Sequence, residues 1–153
     1  MEKCLACSLT DGALDLPGNR IYATRYWVVE HCIGPLGVGT LIVKPFRHCV
    51  HFWELTDEEV SELGPLLRQV SATIRIILKA DQVYICLWSH AGWEPVHLHF
   101  VLQPSWNDLK QTHERPGPFL QVDMIEAGEQ LTRQDVEALA AKARELIQTL
   151  DFK

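Results

Sequence analysis

The spacing of apolar residues changes character three times along the chain. Residues 26–30 (YWVVE) and 40–44 (TLIVK) are short runs rich in branched and aromatic side chains, and each predicts a strand. The second is entered through the turn-forming Gly34, Pro35, Leu36, Gly37, Val38 and Gly39. A helix start follows. Thr56 with Glu59 three residues later is a capping box, and Asp57 and Glu58 suit the positive end of the helix dipole. Val60, Leu63, Leu67, Val70, Ile74 and Ile77 then recur at steps of three and four, so one face of a long helix must pack on a sheet. Pro65 falls inside this stretch, as an early kink or as part of the first turns.

Beyond Asp81 the period shortens again. Residues 83–88 (VYICLW) and 96–102 (VHLHFVL) predict two more strands, joined through a turn at Ser89, His90, Ala91 and Gly92. Residues 104–128 are expected to be irregular, because Pro116, Gly117 and Pro118 break any period. Thr132 and Asp135 cap a last helix, with Val136, Leu139, Ala140, Ala143, Ile147 and Leu150 on one face. Strands, long helix, strands, terminal helix: the order implies an α+β fold, an antiparallel sheet with helices on one side.

At 153 residues, with no repeat, low-complexity tract or linker, residues 1–153 form one domain, with a core over 4–104 and an extension carrying a helix over 105–153. The net charge of -6 argues against broad binding to nucleic acid or anionic lipid, although a local pocket can still take a small anion. No apolar run approaches the ~20 residues of a membrane span, and the first ten residues lack a secretory pattern. Of five cysteines, Cys32, Cys49 and Cys86 lie in apolar surroundings, which suits reduced thiols and a cytoplasmic location.

His97 and His99 lie two apart on a predicted strand, so both imidazoles project from one face while Val96, Leu98 and Phe100 turn to the other. Two histidines on an apolar strand are expensive to bury without partners; taken alone, such a pair is as readily a hydrogen-bonded surface feature. Cys4 and Cys7 form a C-x-x-C, either two small residues at a loose end or half of a tetrahedral zinc site presented from a tight turn. His48, after the second strand, would complete a two-cysteine, two-histidine shell with His97, and His51 is a spare ligand. The five tryptophans are expected mostly in the core or in dimer contacts, with Trp93 or Trp106 able to stack on a base.

Residues 91–104 (AGWEPVHLHFVLQP) resemble the signature of the histidine-triad (HIT) family: a glycine step, four residues, then histidines at alternate positions with a proline soon after. Residues 40–48 (TLIVKPFRH) resemble the family strand that ends in proline, two residues and histidine, and residues 54–59 (ELTDEE) resemble its helix entry. The likeness runs from Cys4 to about Pro104 and implies a HIT-like antiparallel sheet of about five strands, with a long helix packed on it and a C-terminal helix. Two registers fit the two histidines present. With Gly92 and Pro104 as anchors, His97 is the first of the triad, His99 the second, and Val101 replaces the third; the other register starts the triad at Pro95. The first needs no gap. It also puts His97 where zinc-bearing members, galactose-1-phosphate uridylyltransferases among them, have their fourth ligand, so the implied shell is Cys4, Cys7, His48 and His97.

In the family the second histidine attacks the α-phosphorus of a nucleotide, which makes His99 the expected nucleophile and His97 its metal-held neighbour on the strand. The resemblance also implies substrate contacts at Ser89, His90, Gly92 and His31. Three positions depart from the pattern. Val101 stands where the family has histidine or glutamine, Glu94 where serine or threonine contacts phosphate, and Thr40 where hydrolases carry a further histidine. Cys32 replaces the acid expected beside the ribose, with Glu30 nearby; Arg115 is a possible phosphate clamp without a motif. Three functions follow in order: a nucleotidyl hydrolase or transferase acting on a nucleotide or nucleotide-derived small molecule, a nucleotide-binding module without turnover, and a zinc-stabilised interaction protein. The family commonly forms homodimers, so a homodimer is expected.

Overall fold

The computed structural model describes residues 4–91 and 93–150. A short helix α1 (Leu5–Thr10) leads into strands β1 (Tyr22–Ala23), β2 (Trp27–His31) and β3 (Leu41–Pro45). The long helix α2 (Asp57–Leu78) precedes the hairpin β4 (Gln82–Ala91) and β5 (Glu94–Ser105), and α3 (Pro118–Ala127) and α4 (Arg133–Ile147) close the chain. The five strands make one antiparallel sheet in the order β1-β2-β3-β5-β4, an α+β fold. Among the described residues, no helix is long and apolar enough to cross a membrane.

One face of the sheet carries the main core. Trp27, Val29, Leu41, Val43, Phe100 and Leu102 meet Leu63, Leu66, Val70 and Ile74 of α2 and Leu139, Ala140, Ala143 and Ile147 of α4. Leu63, Val70 and Ile74 are buried as expected and Leu67 and Ile77 pack at the edge of the core, whereas Leu66 joins the buried stripe and Val60 is 46% exposed. The helix runs on through Pro65. Helices do not keep to that side alone. On the opposite face Val101, Cys32 and Leu36 form a second cluster with Met124 of α3, and α1 lies over Lys44.

Three further expectations are corrected. Ser89, His90 and Ala91 are not a turn but continue β4, paired to β5 with an irregularity between Trp88 and His90. Residues 104–128 are not irregular throughout: β5 runs to Ser105, and α3 forms with Pro118 at its first position and Gly128 in the left-handed conformation at its end. The C-x-x-C lies at the start of α1, not in a tight turn.

The capping box at α2 is more than local. Thr56 and Glu59 exchange side-chain hydrogen bonds, and the Glu59 carboxylate also takes two from Arg47 at 2.7 and 2.9 Å. Those Arg47 bonds hold the Glu59 carboxyl below its ordinary range. A depressed folded-state value gives stability that is present above the usual carboxylate range and is lost as pH falls through the folded value. Glu59→Gln keeps the shape and the cap but not the charge, so it is expected to cost about 1–2 kcal/mol at pH 7. The gap between variant and parent should close as pH is lowered from 6 to 3 in thermal melts. Melting curves that stay the same distance apart at every pH would speak against the charged pair.

Candidate functional site

Along β5, alternation sends Phe100 and Leu102 into the main core and puts His97, His99, Val101 and Gln103 on the opposite face. Cys4 immediately precedes α1 and Cys7 lies one turn on, a spacing that puts both thiols on one side of the helix. His48 follows β3. These three segments converge: the ligand atoms of Cys4, Cys7, His48 and His97 all lie within 4.8 Å of one another. Sγ of Cys4 is 3.6 Å from Nδ1 of His97, and Sγ of Cys7 is 3.5 Å from Nδ1 of both His97 and His48. Nitrogen and sulfur ligands at bonds of ~2.0–2.3 Å around a four-coordinate ion sit ~3.3–3.8 Å apart, so these atoms are spaced to hold a metal ion.

Electrostatics agree with the spacing. His97 is buried, and Nε2 donates to the Pro45 carbonyl at 3.1 Å, which leaves the Nδ1 lone pair for the cluster. Burial is the largest cause that pushes its imidazole down to about 4; the Pro45 bond opposes it, and Lys44 adds to it. Burial, with the neighbouring Cys4, pushes the Cys7 thiol up to about 11. A neutral His97 imidazole and a Cys7 thiol that resists ionising are what a cluster shows when a cation is needed to draw the proton off. His51 stands apart, stacked on Trp53 at a 4.4 Å ring separation and starting the single helical turn Phe52–Glu54.

His99 is half-buried, and its Nδ1 donates to the His97 carbonyl at 2.9 Å, which fixes the tautomer with Nε2 as the free lone pair. Burial depresses its imidazole, against the His97 carbonyl bond and with help from Lys44, so the ring is neutral at pH 7. It lines a cavity of about 170 Å³ whose walls include Leu5 and Leu9 of α1, Cys32, Ile33 and Ile42. Beneath α1, Lys44 forms a buried ion pair with Glu30 at 2.5 Å, and its Nζ also donates to the Ala6 carbonyl at 2.9 Å. Thr10 Oγ1 donates to the other oxygen of Glu30 at 3.4 Å.

Other expected residues fall as follows. His31 also lines the cavity, but Nδ1 donates to the Cys32 carbonyl and Nε2 accepts from Gly39 N–H, so it staples the β2–β3 connection and both nitrogens are engaged. Gly92, and the side chains of Ser89 and His90, lie outside the described residues. Val101 is packed in the second cluster, Thr40 donates to the Leu36 carbonyl, and Glu94 is exposed at the start of β5. Arg115 pairs with Asp123 and lies over the Phe119 ring. Trp27 is core, whereas Trp53 and Trp93 are 80% and 97% exposed. The Glu30–Lys44 pair is the feature that the sequence reading missed. Its signal is a lone opposite charge in each of two adjacent apolar strand patterns, VVE and IVK.

Fold and site together define a small α+β protein in which one strand holds a metal-competent histidine and, two residues on, a cavity-facing one. The chain has a HIT-like fold and is similar in sequence to HIT-like proteins. It is 26% identical over 106 residues to an uncharacterised HIT-like protein of Saccharolobus solfataricus, covering 68% of this chain and 75% of that one. Adenosine 5′-monophosphoramidase of Schizosaccharomyces pombe is 23% identical over 107 residues, 67% of this chain and 75% of the other. A crystal structure of a zinc-bound histidine triad family protein from Mycobacterium smegmatis superposes with a TM-score of 0.62 at 21% identity, covering 94% of this chain and 96% of that one. No protein-family model matches the chain.

Proposed function

We propose that this protein is a nucleotidyl hydrolase or transferase that works through His99 on a nucleoside phosphoramidate or related nucleotide. The observation that carries the reading is the His99 ring, its tautomer fixed by the His97 carbonyl so that Nε2 keeps its lone pair, at the wall of a largely apolar cavity of about 170 Å³. Nε2 attacks the α-phosphorus: an N–P bond forms, the bond to the amine or oxygen leaving group breaks, and that group departs with a proton taken from solvent water. Water or another acceptor then takes the nucleotidyl group from the ring and restores His99. The activity of the fission-yeast relative, a monophosphoramidase, belongs to the same chemistry.

The cluster residues fit zinc best, since two thiols and two imidazoles at tetrahedral spacing are its preferred set. When bound, zinc supplies a structural cation that fixes His97 and α1; Cys4, Cys7, His48 and His97 hold it. His97 then stiffens the strand that presents His99. The cytoplasm, with reduced cysteines, is the proposed location. A homodimer is proposed through β4, an edge strand with Ile85 and Leu87 exposed on it.

A specific observation favours a second reading, a binding module without turnover: Val101 and Thr40 offer no proton donor at the phosphate, being engaged in packing and in the Leu36 bond. Titration calorimetry with AMP and adenosine phosphoramidate, followed by product analysis, separates the two. Binding with release of AMP from the phosphoramidate is expected. Binding without release favours the module, and no binding of any nucleotide overturns both.

A further inference from the structure

Helix α1 is six residues long, and Ser8 is its one buried residue. Leu5 is 56% exposed, and cavities of about 310 and 170 Å³ flank the helix, both lined by Leu9 and Glu30. A helix of this length does not hold together in water, and burying a serine supplies no apolar anchor. What fixes it is polar. Cys4 and Cys7 face His48 and His97 at its amino end, the Ala6 carbonyl in its first turn accepts from Lys44 Nζ, and the Thr10 hydroxyl at its last residue, which donates to the Ala6 carbonyl at 3.0 Å, lies 3.4 Å from the Glu30 partner of Lys44. The same helix supplies Leu5, Ala6 and Leu9 as one wall of the cavity that His99 lines.

We propose that metal binding and nucleotide binding are coupled through α1, with Lys44 as a positioning residue. A metal-loaded cluster pins the helix, the pinned helix completes the cavity, and metal occupancy therefore sets nucleotide affinity. This rests on reading the cavity as the nucleotide site. Coupling of this kind is reciprocal: whatever factor the metal adds to nucleotide affinity, the nucleotide adds to metal affinity. Couplings between sites commonly amount to ~5–150-fold, and the loss of a whole wall places the expected effect at roughly tenfold or more.

The test uses the full chain, zinc-loaded and chelated. Hydrogen exchange of residues 5–10 is followed beside residues 63–74 of α2 as a control for the fold, and AMP affinity is measured by calorimetry in both states. Chelation is expected to speed exchange in α1 at least tenfold, to leave α2 protected, and to weaken AMP at least tenfold; saturating AMP should tighten zinc by the same factor. Equal AMP affinity in the two states overturns the coupling. AMP bound by neither state, with α1 still released by chelation, overturns the nucleotide reading while the pinning stands. Should chelation unfold the chain, the paired substitution Lys44→Met with Glu30→Gln carries the test at full zinc content. It should loosen α1 and weaken AMP severalfold; no change in either overturns the proposal.

Discussion

Stripping the metal from this protein is expected to lower its melting temperature by roughly 5–15 °C. The four ligand positions, residues 4, 7, 48 and 97, belong to segments far apart in sequence that meet only in the fold: the start of α1, the chain after β3, and β5. The unfolded chain offers the C-x-x-C but not the two imidazoles beside it. Binding free energy therefore becomes folding free energy. A ligand present at 100 to 1,000 times its dissociation constant stabilises by ~2.7–4.1 kcal/mol, and each kcal/mol moves the midpoint of a domain of this size by ~2–4 °C. Calorimetry with and without a strong chelator measures the shift directly. Cys4→Ser and His97→Ala should each reproduce most of it and lower the metal content, whereas His51→Ala should leave both unchanged. A melting temperature indifferent to the chelator, in protein shown to have contained zinc, would overturn this prediction. Retention of metal in His97→Ala with loss in His51→Ala would shift the motif register instead.

What could be read from the chain before folding depended on how local each signal was. The Thr56–Glu59 box and the apolar stripe of α2 are set within a few turns, and they were legible; which of Leu66 and Leu67 faces the sheet depends on how the whole helix is rotated against its neighbours. Helix α3 was missed because its apolar residues Phe119, Leu120, Val122 and Ile125 form no stripe, though Gly117-Pro118 and Gly128 mark its ends. Ser89, His90 and Ala91 look like a turn by composition, yet pairing with β5 extends them as strand. At the site, alternation along β5 puts His97 and His99 together without further help. That Cys4 and Cys7 arrive beside His97 depends on long-range packing, and the family pattern, not the spacing, supplied that expectation. The Glu30–Lys44 pair had no motif behind it: two opposite charges on separate strands become partners only through the β2–β3 register.

Replacing His99 with alanine is expected to abolish covalent labelling of the protein by an α-labelled nucleotide and to lower turnover by a factor on the order of 10⁴–10⁶, the range lost with an essential nucleophile or its base. Its Nδ1 hydrogen bond goes to the carbonyl two residues back, and it is not among the ligand atoms of the cluster, so the variant should keep its metal and fold with a modest cost of ~1–2 kcal/mol. Two further variants give the loss its meaning. His99→Gln can still donate to the His97 carbonyl but has no nucleophilic nitrogen, so it should bind nucleotide while failing to label. Val101→His restores an imidazole one alternate position along the same face; it must displace packing against Cys32 and Leu36, so it should cost stability even where it raises the rate of release from His99. Labelling is read as acid-labile, base-stable phosphohistidine, with the modified peptide identified by mass. Label that persists in His99→Ala, or that maps to His90 or His97, moves the nucleophile away from the ring on which the cavity, the tautomer and the buried Lys44 converge.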